Sequence, residues 1–318
     1  MASGKDIKRR IKSIDGTKKI TRAMEMVSAA KMRRAVSSVL GLRPYAHLAW
    51  SVLTNLARAF ENYKHGFLEI REVRNILVVV VASDRGLCGS FNTQIYKKLK
   101  EQIAHPESLK VNRVGKKRID SKIADQDLKF DFITVGKKGE GIVKRLDRQI
   151  VATFPDGASF VGIENIRPIS KIVTDDYLAK KYDKVVIVYT DYISAMVQQT
   201  RIRQVLPISK IDIEKQIAEI DVLAKEYGLD EPKKEYKVEP SPEEVLSLIF
   251  PRIIDMQIFH AILESAASEH SARMLAMRNA TDAAGEMGDD LKLAYNQLRQ
   301  AKITQEIAEI SAGSAALG

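Results

Sequence analysis

Residues 241–318 read SPEEVLSLIFPRIIDMQIFHAILESAASEHSARMLAMRNATDAAGEMGDDLKLAYNQLRQAKITQEIAEISAGSAALG, and this stretch decides the fold. It opens with a helix start: Ser241 in the N-cap position, Pro242 in the first turn, and Glu243 and Glu244 at the positive end of the helix dipole. Apolar residues then recur at helical spacing through Leu246, Ile249, Phe250, Ile253, Ile254, Ile258, Ile262 and Ala266. From Ser268 the stripe narrows to small residues four apart, Ala272, Ala276, Ala280 and Ala284. It widens again through Leu291, Tyr295, Leu298, Ile303, Ile307 and Ile310. Gly285 and Gly288 are the weak points before Gly313. Some 70 helical residues would span roughly 100 Å. A periodic pattern this long without internal caps points to a coiled coil, with packing inside a helical domain as the plainer reading.

The opposite end of the chain supplies a partner. From about Ser3 to Tyr63 a second helical stripe runs through Ile7, Ile11 and Ile14, then Ile20, Ala23, Met24, Val27, Ala30 and Lys31. It continues past Pro44 through Leu48, Val52, Leu56, Ala59 and Tyr63. Gly16 marks either a phase adjustment or a break, since Gly in a helix costs about 1 kcal/mol against Ala. Residues 1–34 carry eleven Lys/Arg and three Asp/Glu, whereas residues 242–318 carry six and eleven. The two ends are electrostatically opposite, and pairing them gives an antiparallel coiled coil closed by the chain's own termini.

Between them the period changes. Asn75-Ile76-Leu77-Val78-Val79-Val80-Val81-Ala82 is a continuous β-branched run, the mark of a strand buried on both faces. A helix is expected over Asn92–Ile103. Further strands are expected at Phe130–Val135, Lys184–Thr190 and Ile202–Leu206, with helices at Gly141–Ile150 and Thr174–Lys181. Strands alternating with helices make a small α/β domain. The expected fold is therefore mixed: a long antiparallel two-helix coiled coil from the N- and C-terminal helices, plus a central Rossmann-like α/β domain. Its boundaries fall near 1–70, 71–240 and 241–318, with surface insertions near 105–129 and 210–237.

The composition narrows the function classes. The chain has 318 residues, is 45% hydrophobic and 29% charged, and carries a net charge of +10, which excludes a collagen, a disulfide scaffold and a disordered tail protein. Cys88 is the only cysteine, which excludes an internal disulfide and suits a reducing compartment. The apolar runs fall far short of the ~20 residues of a membrane-spanning helix. The N-terminus is basic and amphipathic but interrupted by Asp6, Asp15 and Glu25, and reads as part of the mature protein.

Catalytic chemistry is hard to find. The turn Ser83-Asp84-Arg85-Gly86-Leu87-Cys88-Gly89-Ser90 follows a strand, where phosphates are often cradled. It lacks both G-x-G-x-x-G and G-x-x-x-x-G-K-[ST], and Val135-Gly136-Lys137-Lys138-Gly139 is equally weak. The five histidines show no metal-ligand spacing. Asp84 lies near Cys88, without a histidine to complete a thiolate pair. Glu264, Glu269, His270 and Ser271 are expected to lie on a solvated helix face rather than to form a hydrolytic cluster. No cofactor, metal or small-molecule substrate is expected. The basic N-terminal zone leaves a basic coiled-coil nucleic-acid-binding protein as an alternative, weakened by the lack of interleaved aromatics.

Four blocks, in order, resemble the γ subunit of F-type ATP synthases. They are Ile20-Thr21-Arg22-Ala23-Met24-Glu25-Met26-Val27-Ser28-Ala29-Ala30-Lys31-Met32-Arg33 and Ser83–Asn92. The third is Ala267-Ser268-Glu269-His270-Ser271-Ala272-Arg273-Met274, running on to Asn279-Ala280-Thr281-Asp282. The fourth is Tyr295-Asn296, Arg299-Gln300-Ala301, Ile303-Thr304 and Glu306. The family's final signature usually reads Gly-Ala-x-small, where this sequence has Gly313-Ser314-Ala315-Ala316, and the cysteine pair of the chloroplast type is absent. The resemblance implies a central-stalk rotor that is not itself an enzyme. It would couple rotation of the membrane c ring of a proton-translocating synthase to the nucleotide sites of the β subunits. The implied partners are the α and β subunits, the ε subunit and the c ring, with no nucleic acid. The implied location is peripheral, on the cytoplasmic face of the bacterial inner membrane. By the same resemblance Arg299, Gln300, Thr304 and Glu306 contact β, with Met24 facing the same region from the opposing helix. Arg85 and Cys88 are implied to lie near acidic β loops.

Overall fold

The structure, a computed structural model, describes residues 4–42, 44, 46–47, 66–69, 71–114, 117–121, 123–155, 162–209, 215, 218–219, 221–222, 225 and 242–317. The N-terminal stripe at Leu48, Val52, Leu56, Ala59 and Tyr63, the cap at Ser241 and most of the 210–237 stretch lie outside the described residues. The chain forms two compact units, Met1–Ala29 with Arg273–Gly318, and Ala30–Ala272.

The larger unit is built on β1 (Asn75–Val81), the expected β-branched run. Helices α2 (Phe91–Ala104) and α3 (Glu107–Lys110) follow, then the hairpin β2 (Val111–Val114) and β3 (Lys117–Asp120). Next come β4 (Lys129–Val135), α4 (Lys137–Arg145), β5 (Gln149–Phe154), α5 (Arg167–Leu178), β6 (Lys184–Tyr192) and β7 (Gln198–Leu206). The main sheet has the order β5-β4-β1-β6-β7. β1 pairs in parallel with both β4 and β6, and β7 closes one edge antiparallel to β6. β1 is therefore the spine, with Val79 opposite Ile133 on one side and Ile187 on the other.

The period of two sorts its side chains. Ile76, Val78 and Val80 join Phe91, Ile95 and Leu99 of α2 and Ile142 and Val143 of α4 in one apolar cluster. Their neighbours Leu77, Val79 and Val81 are equally buried on the other face. Each such side chain contributes about 1.5–3 kcal/mol of transfer free energy. From β1 the chain winds outward through β4 to β5, then crosses back to β6 on the far side of β1. That reversal puts a topological switch point between β1 and β6.

Several expected elements moved. The helix foreseen over Gly141–Ile150 begins earlier and stops at Arg145, and Gln149–Phe154 is a strand. β5 alternates between exposed and half-buried positions and has none of the continuous apolar character of a buried strand. The helix foreseen at Thr174–Lys181 runs from Arg167 to Leu178. Much of the 105–129 stretch is integrated rather than superficial. The buried Lys184 ammonium donates to the Leu109 and Val111 carbonyls, and Gln204 bonds both backbone groups of Arg113.

The smaller unit pairs part of α1 (Gly4–Gly41) with part of α6 (Pro242–Leu317). α1 passes through Gly16 without a break. Its residues rise in number as those of α6 fall, so the pair is antiparallel as expected. The Thr21 and Thr281 hydroxyls lie 2.7 Å apart. A Cβ on Gly285 would stand 3.0 Å from Lys18 Nζ, one on Gly288 3.7 Å from Ile14, and one on Gly4 3.9 Å from Tyr295. The small residues Ala280, Ala284, Gly285 and Gly288 are what let the backbones approach. Here the ion pairs Lys19–Asp15, Arg22–Glu25 and Lys292–Asp289 each join residues of one helix. The opposite charge of the two ends still acts across the pair. The Asp15 carboxyl is held below its usual range first by Lys19 and additionally by Lys292, and Asp289 first by Lys292 and additionally by Lys18.

Gly136 starts α4 at φ +87, and a Cβ there would sit 2.2 Å from the Ala82 carbonyl oxygen. Gly136→Ala should lower stability by at least ~2 kcal/mol in denaturant unfolding. Gly141 lies in the same helix with open space around it. Gly141→Ala should instead stabilise by about 0.5–1 kcal/mol.

Candidate functional site

In doubly wound sheets, ligands settle in the crevice beyond the carboxyl ends of the strands at the switch point. Here the chain's own helix α6 fills it. Ser265 Oγ donates to the carbonyl of Val81, the last residue of β1, at 3.5 Å. The Glu264 carboxyl accepts from the backbone N–H of Tyr192, the last residue of β6, at 2.9 Å. About two turns on, Ser271 Oγ donates to the Ala195 carbonyl and Gln198 Nε2 donates to Ser271 Oγ. The sequence fits this role because α6 from Ile253 to Ser271 is buried all round, with Ala or Ser at Ala261, Ser265, Ala266, Ala267, Ser268 and Ser271. Glu264, Glu269, His270 and Ser271 are therefore not on a solvated face. Each is buried, at 6% exposure or less. The missed signal was the run of small residues, which allows backbone contact on several sides of one helix.

The turn after β1 sits beside this crevice. Asn92 holds its shape, its side-chain oxygen accepting the Ser83 N–H and its amide donating to Ser83 Oγ at 2.7 Å. The Ser83 hydroxyl turns back to the Arg85 carbonyl at 2.8 Å. Asp84 accepts the Lys137 N–H at 2.8 Å, so it caps α4 rather than acting on a thiol. Leu87 and Gly89 adopt positive φ, at 61 and 57 degrees. This conformation turns Arg85 and Leu87 outward and Cys88 inward. The Cys88 thiol is buried beside the Asn92 amide, 3.3 Å away. Leu87 is 62% exposed and takes its place as the apolar residue on display.

Arg299, Gln300, Thr304 and Glu306 all lie on the last part of α6 and are all exposed. At helical spacing, Arg299, Ile303, Glu306 and Ile310 form one stripe and Gln300, Thr304 and Ile307 the next, so one face alternates polar groups with isoleucine. Thr304 Oγ1 donates to the Gln300 carbonyl at 3.0 Å, and Glu306 pairs with Lys302 at 3.6 Å. Among the described residues, the Arg299 and Gln300 side chains have no partner. Ile303, Ile307 and Ile310 are 46%, 59% and 73% exposed. Three bare isoleucines on one helix end are the kind of apolar surface that marks an interaction site.

Met24 does not join this group. It lies one turn beyond Thr21, which faces Thr281, so Met24 sits about 30 Å along the helix from Arg299. Antiparallel pairing carries α1 away from the end of α6 with increasing residue number, which separates the two. Among the described residues there is no cluster of His, Cys, Asp and Glu able to hold a metal, and no helix long and apolar enough to cross a membrane.

Comparison with known proteins bears on this arrangement. The sequence model of the ATP synthase family matches residues 3–317. The ATP synthase gamma chain of Legionella pneumophila (strain Corby) is 34% identical over 317 residues, covering 100% of both chains. That of Trichlorobacter lovleyi is 39% identical, covering 99% of this chain and 98% of the relative. Among solved structures, a chain of the Euglena gracilis mitochondrial ATP synthase in rotational state 3 aligns with TM-score 0.61 at 18% identity, covering 99% of this chain and 94% of that one. A chain of the Tetrahymena thermophila mitochondrial ATP synthase central stalk and c ring aligns with TM-score 0.54 at 23% identity, covering 82% and 99%. The structural matches establish a shared fold, and the full-length sequence matches establish the kinship: the chain belongs to the ATP synthase gamma chain family.

Proposed function

We propose that the chain is the central-stalk rotor subunit of a proton-translocating F-type ATP synthase. Its partners are then the α and β subunits of the catalytic head, the ε subunit and the membrane c ring. The observation that carries this reading is the exposed end of α6, where Arg299, Gln300, Thr304 and Glu306 alternate with bare isoleucines. An enclosing ring of subunits would cover such a face. The Tetrahymena match is described as central stalk with c ring, which supports the same assignment.

On this reading the chain works mechanically. Turning of the c ring rotates the two-helix unit within the head. Its unequal faces bias successive β subunits between open and closed states, driving release of ATP, and hydrolysis runs the cycle backwards. Exposed ion pairs contribute about 0–1 kcal/mol, so charged contacts can break and reform cheaply during rotation. Arg85, beside exposed Leu87, would meet acidic loops of β. Met24 would contact the head at a separate level from Arg299. The switch-point crevice holds α6 rather than a nucleotide, which supports a non-catalytic role. The protein would sit peripherally on the cytoplasmic face of a bacterial inner membrane. No observation favours nucleic-acid binding.

Arg299→Ala and Gln300→Ala should each lower coupled ATP synthesis by the assembled complex several-fold, the effect of about 1–2 kcal/mol at an interface. Unchanged rates in coupled membranes would overturn the contact assignment. The purified chain, free of α and β, should show no ATPase activity, and a measurable turnover would refute the rotor reading.

A further inference from the structure

Away from the crevice, one cavity of the larger unit gathers positive charge. It has a volume of about 510 Å³ and lies between α5 and the early part of α6. On α5 its lining residues Arg167, Ser170, Lys171 and Thr174 follow spacings of three and four, so they share one helix face. On α6, Leu248, Pro251, Arg252 and Asp255 do the same. Two helix faces look into one space, and both bring cations to it.

The donors left over are those cations alone. Ser170 Oγ donates to the Arg167 carbonyl at 3.3 Å and Thr174 Oγ1 to the Lys171 carbonyl at 3.1 Å, so both hydroxyl protons are spent on the helix. Among the described residues, the Arg167 and Lys171 side chains have no hydrogen-bond or ion-pair partner. Arg252 reaches Asp255 only at 3.9 Å, and 55% of its side chain is exposed. The remaining wall is apolar, with Pro251 beside a Leu248 that is 72% exposed.

Two guanidinium forks and an ammonium around one space match the oxygens of a phosphoryl group, which a fork grips through parallel N–H···O bonds. The bare leucine narrows the source. A free phosphate is hydrated on every side and gains nothing from Leu248 or Pro251. An anionic phospholipid carries apolar chains next to its phosphate, and basic residues edged by apolar ones are how chains hold to anionic bilayers without spanning them. No described helix is long and apolar enough to span. We propose that this cavity binds the headgroup phosphate of an anionic phospholipid, held by Arg167, Lys171 and Arg252, with Leu248 against the acyl region. The site does not depend on the rotor reading, which rests on the opposite end of α6.

The test is sedimentation of the full chain with vesicles of phosphatidylglycerol and phosphatidylcholine. Arg167→Gln, Lys171→Gln and Arg252→Gln should each lower the partition coefficient about five-fold, the equivalent of about 1 kcal/mol per cation at an anionic surface. The chain carries a net charge of +10, so Lys8→Gln and Lys12→Gln on α1 control for charge alone and should leave the coefficient unchanged. Equal losses wherever a cation is removed overturn the site, and so does vesicle binding indifferent to all three cavity substitutions, the result expected if an acidic protein segment is the occupant. Inorganic phosphate, followed through the arginine Nε–H resonances, separates the two phosphoryl sources. Leu248→Ser should weaken vesicle binding and leave those resonances' response to phosphate as it was. A response at Arg167 and Arg252 with no selective loss of vesicle binding assigns the cavity to a free anion and overturns the lipid. Should Arg252→Gln fail to fold, the two α5 substitutions, which remove no partnered side chain, carry the test.

Discussion

The larger unit depends on one steric constraint, the fit of a single helix into the crevice between β1 and β6. A doubly wound sheet leaves that crevice open because its crossovers diverge there. In this chain Ser265 and Glu264 bond directly to the last residues of the two strands. A side chain larger than Ser at Ser265 would hold the helix off the end of β1 and break that bond. The same bonds place α6 at the end of β1 and β6, where ligands settle in many folds of this class. They also draw the Glu264 carboxyl into the interior, where it accepts the Tyr192 N–H.

The turn after β1 inherits its geometry from that fit. It leaves the sheet beside α6, where a Cβ on Gly89 would lie 3.9 Å from the Ala272 carbonyl oxygen. With Asn92 and Asp84 fixing both ends, the positive φ of Leu87 turns a leucine to the surface and the next residue's thiol inward. The site at the end of α6 has a different origin. There the paired helix has ended, and side chains that elsewhere alternate between seam and solvent are all exposed.

Much of this was legible in the amino-acid sequence, and the failures have physical causes. The β1 run, the opposite charges of the two ends and the helical stripes pointed to a coiled coil with an α/β domain, and that architecture is observed. β5 escaped because a half-buried edge strand beginning Gln149-Ile150 resembles the end of a preceding helix. The buried polar face of α6 was misread because Glu264, Glu269 and His270 look solvated by residue type alone. Only the Ala and Ser residues around them signal close packing. The polar residues Arg299, Gln300, Thr304 and Glu306 were singled out through resemblance alone, since four polar residues on a helix carry no distinctive spacing. The inward direction of Cys88 was not legible, because the positive φ of Leu87 accompanies it and no residue pattern announces that dihedral.

The bare isoleucines near the end of α6 also bear on how a cell must make this protein. Surface of that kind is harmless only while something covers it. An unassembled copy exposes an apolar helix end to every chaperone, protease and sister chain it meets. Synthesis of the subunit must therefore keep step with its assembly partners, and surplus copies become substrates for quality control.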